Sequence, residues 1–141
     1  MVRSLLVTAL AVVVLVPFAP AEEPKKEPAK LTVNIFASNA DAKLAKEMPE
    51  NGVIASAKAW DKLAKAWGIK EPVKVNFDKE ILIVATTVGS RLNLSTKLDE
   101  KGDLKILGLA TSDFGEGFRY VIKSVNKDGV KTVNGKALPK E

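Results

Sequence analysis

The chain has 141 residues, a formal net charge of +5, 46% hydrophobic and 28% charged residues, and neither cysteine nor histidine. Those two absences exclude Ser-His-Asp and Cys-His nucleophilic sites, disulfide cross-links, and ordinary zinc, copper or haem ligation by the chain's own side chains. Hydrophobic burial must therefore hold the fold together, and only carboxylate, lysine, tyrosine or serine–lysine catalysis stays open.

The chain begins with a basic start at Met1 to Arg3, an apolar run from Leu5 to Val16, and Ala19-Pro20-Ala21, a small-x-small step. That order reads as a secretory signal peptide over residues 1–21, cleaved after Ala21. The apolar run is shorter than the roughly 20 residues a span requires, so no stable membrane span is expected after cleavage. No cysteine follows it, which excludes a lipoprotein signal. The expected location is secreted or periplasmic, in a bacterium. Residues 22–30 mix charge and proline without apolar periodicity and read as a disordered linker. One domain is expected over residues 31–138, with a tail at 139–141.

Leu31 to Ala37 alternates, with Leu31, Val33 and Ile35 on one face, and reads as a first strand. Ser38 or Asn39 is placed to cap a short helix from Asp41 to Met48, which Pro49 stops. The domain is organised around Val53 to Val88, which reads strand, helix, turn, strand. Ser56 is a good N-cap. After it Trp60, Leu63, Ala64 and Trp67 recur at helical spacing, with Lys58, Asp61, Lys62 and Lys65 opposite. Asp61 and Lys65 have the spacing of a favourable pair. Gly68 stands at the C′ position, and Glu71-Pro72 blocks continuation. Val73 to Phe77 follows, and then Ile81 to Val88, which reads as a strand buried on both faces.

Beyond Val88 the pattern turns to hairpins. Leu92, Leu94, Thr96 and Leu98 alternate with Arg91, Asn93, Ser95 and Lys97. Asp99 to Gly102 turns the chain, and Leu104 to Ala110 returns it. Phe118, Tyr120 and Ile122 alternate with Arg119, Val121 and Lys123. Asp128-Gly129 is a hairpin signal before a short strand at Val130 to Val133, and Asn134-Gly135 is another turn. Short connections favour antiparallel pairing. The expected fold is α+β: one curved antiparallel sheet of six or seven strands packed against one main helix at about residues 57–67, with Trp60, Leu63, Trp67, Phe77, Ile83 and Tyr120 in the core.

Few residues suggest chemistry. Trp60 and Trp67 share the apolar helix face, which makes them core rather than a ligand platform. Asp99, Glu100 and Asp103 lack the spacing of a calcium loop, as do Asn126 and Asp128. Asp113 and Glu116, in the loop of residues 112–117, are the one place for carboxylate hydrolysis. Arg91, Asn93, Lys97, Arg119 and Lys123 would form a basic polar face if their strands lay side by side. The aromatics of those strands fall on the other face, so no base-stacking platform and no nucleic acid is expected.

The run Gly52-Val-Ile-Ala-Ser56, Trp60 at Ser-x-x-x-Trp spacing, and Val75-Asn-Phe-Asp-Lys-Glu80 before a strand ending at Gly89 resembles the C-terminal domain of the PrcB family, over about residues 52–127. Those are secreted bacterial proteins associated with a subtilisin-like protease complex. Phe118 to Lys123 matches their last strand. The family's Gly-Gly-Tyr segment is replaced here by Ser90-Arg-Leu-Asn-Leu94, and the family's frequent lipid anchor is missing. The resemblance implies a non-catalytic accessory module without cofactor, whose partner is another exported protein such as a protease. It brings no catalytic residue. The residues themselves assign the partner surface to Arg91, Asn93, Lys97, Asp113, Glu116, Arg119 and Lys123. Binding of an anionic envelope polymer by the basic face, and a small carboxylate hydrolase at the 112–117 loop, are the alternatives.

Overall fold

A computed structural model of the protein describes residues 33–113 and 115–140. The signal-peptide and linker expectations, the Leu31 start of the first strand and the last residue of the tail fall outside the described residues. No helix among those described is long and apolar enough to cross a membrane.

The main helix, α1 (Ala57–Ala66), forms as its sequence dictates. The Ser56 hydroxyl accepts from the Ala59 amide at 3.3 Å, satisfying one orphan donor of the first turn. At the other end Gly68 adopts φ +66°. Its amide donates to the Lys65 carbonyl and the Ile69 amide donates to the Ala64 carbonyl, a paired closure that needs a left-handed residue. Trp60, Leu63, Ala64 and Trp67 are buried, while Lys58, Asp61, Lys62 and Lys65 face solvent. The Asp61–Lys65 pair does not form; among the described residues the one ion pair joins Lys105 to Asp103. An exposed pair gains too little over hydration to hold two long side chains together.

The strands form two sheets of four, not one curved sheet of six or seven. The inner sheet has the order β1–β6–β3–β2, where β1 is Asn34–Asn39, β2 Val53–Ile54, β3 Glu80–Thr87 and β6 Phe118–Asn126. All of its pairings are antiparallel. The outer sheet has the order β4–β5–β7–β8, with β4 at Leu92–Leu98, β5 at Asp103–Ala110, β7 at Thr132–Val133 and β8 at Lys136–Ala137. The reason for two sheets lies in the central strands. Both β3 and β6 are apolar on both faces, so each face needs a cover. Helix α1 covers one, and the outer sheet covers the other.

Several local expectations change accordingly. Asp128-Gly129 does not make a hairpin, because β6 already has β1 and β3 as neighbours. The chain crosses there to the outer sheet, and β7 pairs parallel to β5. Only Thr132–Val133 of the expected closing strand pairs. Val73 to Phe77 joins neither sheet, since β2 and β6 occupy both sides of β3. Its Val73 carbonyl instead accepts from Trp60 Nε1 at 3.0 Å. The short helix is of the 3-10 type, Ala42–Glu47, and is capped by Asp41 rather than Ser38 or Asn39.

Two core layers result. Trp60, Leu63, Trp67, Leu82, Val84, Phe118, Tyr120 and Ile122 fill the space between α1 and the inner sheet. Trp67 meets Tyr120 at 4.6 Å between ring centroids and Phe118 edge-on at 5.3 Å. Its Nε1 donates to the Leu44 carbonyl at 2.8 Å, tying down the 3-10 helix. Ile81, Ile83, Val121 and Val125 meet Leu94, Leu104, Val130 and Val133 between the sheets. Phe77 packs half-buried at the margin of the helix-side layer. Each buried aliphatic side chain stabilises by roughly 1.5–3 kcal/mol, so these layers dominate over any surface pair. Gly52 is required by this packing: it has φ +62°, and a Cβ there would lie 2.7 Å from the Val84 carbonyl oxygen.

Candidate functional site

The basic residues do not share one face. Strand alternation puts Arg91, Asn93, Ser95 and Lys97 on the outer, solvent-facing side of β4, while Leu92, Leu94, Thr96 and Leu98 turn inward. Arg119 and Lys123 lie in β6, on the inner-sheet face that looks toward the outer sheet. Lys123 Nζ donates to the Leu94 carbonyl, and Arg119 Nη1 reaches the Val88 carbonyl at 3.5 Å. The two groups are therefore separated by the thickness of the outer sheet, because β4 and β6 are stacked rather than paired.

The two carboxylates of the 112–117 loop differ in their surroundings. The Asp113 carboxylate accepts from the Ser90 amide at 3.0 Å. Hydrogen bonds from the Ser90 and Thr111 side chains, with that amide, hold its pKa well below the usual carboxylate range. A general acid in glycoside hydrolysis needs a shift in the other direction. Asp113 instead ties the start of β4 to the end of β5. Glu116 is exposed. Asp103 acts similarly at the other end of the hairpin. It accepts from Thr132 Oγ1 at 2.6 Å and from the Gly135 amide at 2.8 Å and pairs with Lys105; the Lys105 and Thr132 hydrogen bonds lead in lowering its pKa to about 2. Asp99 accepts from the amides of Lys101 and Asp103, so these acidic side chains serve their own turn.

What the residue pattern missed is apolar. Leu107 and Leu109 are 61% and 74% exposed, and Phe36 is 55% exposed. Leu104 and Ile106 face inward, but Leu107 and Leu109 have the opposite parity and stand beside Ser95 and Asn93 on the outer face. The signal was present as a change of parity within Leu104 to Ala110. Phe36 belongs to β1, beyond the cover of the outer sheet. Phe36, Leu92, Leu109 and Ala110, with Arg91, Asn93 and Thr111, line an open groove of about 460 Å³. Of the expected partner residues, the groove takes Arg91 and Asn93. Lys97 lies farther along β4, and Asp113 and Arg119 support the loop behind it.

Comparison with family models, with curated proteins and with solved structures found no match to this chain.

Proposed function

We propose that this protein is an exported, non-catalytic binding module of PrcB-like type that associates with another exported protein, a protease being the partner the resemblance suggests. The observation that carries the reading is that exposed Phe36 and Leu109 line one groove, with Leu107 exposed on the same face of β5 as Leu109. Exposed apolar side chains gathered in one place mark interaction surfaces, whereas the same residues scattered singly would mean nothing. The engagement of Asp113 with its own loop supports a binding role over hydrolysis. The separation of Arg91 and Lys97 from Arg119 and Lys123 by the outer sheet weighs against a continuous polyanion track.

The test is retention of exported proteins from the source cells on the immobilised protein at low and high salt, followed by mass spectrometry. One protein held at both salts is expected, and retention should drop in a Leu107→Ser, Leu109→Ser double variant. Release of everything by salt would instead favour a polyanion ligand, since such binding weakens steeply with ionic strength. Where the retained protein is a protease, its activity with and without the module separates an inhibitor from an activator.

A further inference from the structure

We infer that the open edge of β4 and the adjoining groove receive an extended segment of a partner protein that alternates apolar and acidic side chains. This rests on the binding-module reading above and specifies the chemistry of the partner.

Among the described residues the two sheets have four edges. Those at β2 and β8 are two residues long, and short edges offer little to pair with. The other two, β1 with six residues and β4 with seven, are long and free of proline. Both border the groove, since Phe36 comes from β1 and Leu92 from β4.

The backbone of β4 is oriented for pairing. The Thr111 amide donates to the Arg91 carbonyl, and the Asp99 amide donates to the Asp103 carbonyl. Antiparallel alternation then directs the backbone groups of odd-numbered residues to β5 and those of Leu92, Leu94, Thr96 and Leu98 to the open side. Lys123 takes the Leu94 carbonyl, which blunts one acceptor and brings a positive charge to the edge.

A strand added along this edge continues the pleat, so its side chains alternate between the two faces. Those on the outer face become cross-strand neighbours of Arg91, Asn93, Ser95 and Lys97. Among the described residues Arg91 and Lys97 have no carboxylate partner, the one ion pair being Lys105–Asp103, so acidic side chains fit there. Those on the inner face lie beside Leu92 and over Phe36, so apolar side chains fit there. Backbone pairing supplies affinity and the alternation supplies selectivity, as in other strand additions.

The test uses the natively produced protein and a synthetic peptide of about eight residues alternating valine and glutamate, a length that matches one edge strand. Binding is read by calorimetry and by amide NMR shifts. The peptide is expected to bind and to shift amides along β4, whereas a valine–lysine peptide and a backbone N-methylated copy should not bind. Arg91→Glu should reverse the preference toward the lysine peptide. Thr96→Pro removes an outward N–H and no bond to β5, so the fold should persist while affinity falls roughly tenfold or more. Absence of saturable binding by the valine–glutamate peptide, or undiminished binding of the N-methylated copy or by folded Thr96→Pro, overturns the inference. An exported protein retained equally by wild type and both variants overturns it too, and leaves the binding-module reading standing. If wild type retains no exported protein, that reading fails and the inference falls with it.

Discussion

The two faces of the inner sheet are built from the same strands, β3 and β6, yet they are finished differently. On the helix side, Leu82, Val84, Phe118, Tyr120 and Ile122 lie under a helix whose two indoles are buried and whose indole N–H groups each reach a carbonyl. On the other side, the outer sheet covers Ile81, Ile83, Val121 and Val125 but stops short of β1. Phe36 is left exposed there, and among the described residues no strand pairs with the outer edge of β1 or of β4. The difference teaches where stability and binding reside. A surface closed by apolar packing and satisfied polar groups has nothing left to offer a partner, whereas one with unpaired backbone and exposed leucine does.

Four experiments sharpen or break that contrast. The largest effect is expected on the closed side. Trp67→Ala removes a ring that touches Phe118 and Tyr120 together with its hydrogen bond to Leu44, and should cost about 3–5 kcal/mol in urea denaturation. A loss below about 1 kcal/mol would mean that this layer is not the main source of stability. Next comes Ser124→Ala. Ser124 is fully buried, and its hydroxyl accepts from the Val33 amide at 2.9 Å, so the variant strands a buried donor at a cost of about 1–3 kcal/mol.

The third effect concerns acid. The folded-state pKa of Asp103 lies near 2, below its ordinary value of 3.8. A lowered carboxylate pKa stabilises the fold above the unfolded value and loses that contribution as pH falls through the folded value. Its share is therefore complete above pH about 4 and fades toward pH 2, so Asp103→Asn should flatten the acid limb of a stability–pH curve. An unchanged acid limb would remove Asp103 as a clamp between β5 and the β7–β8 turn. The smallest effect is expected on the open side. Leu109→Ser should change stability by no more than about 0.5 kcal/mol while weakening partner retention. A loss as large as that of Trp67→Ala would show that the exposed leucine belongs to the fold and not to a binding surface.

Much of the helix side was legible in the chain. The Ser56 cap, the Trp60–Trp67 stripe and the Gly68 stop are local features, each decided within a few residues by backbone hydrogen bonding and side-chain spacing. The candidate site was legible only in part. Arg91 and Asn93 line the groove as a polar strand face suggests, but Phe36 and Leu109 complete it from β1 and β5, and no local rule relates their distances along the chain.

Periodicity and capping thus determined α1, the doubly buried β3, the β4–β5 hairpin and the aromatic core, because those follow from contacts within a strand, a helix or a tight turn. Tertiary structure alone decided that the strands divide into two sheets, that β7 runs parallel to β5, and that Arg119 and Lys123 lie behind β4 instead of beside Arg91. The physical reason is that alternation states which side chains share a face but not which strand lies alongside. That choice falls to the burial of both faces of β3 and β6, a requirement met by the whole chain at once.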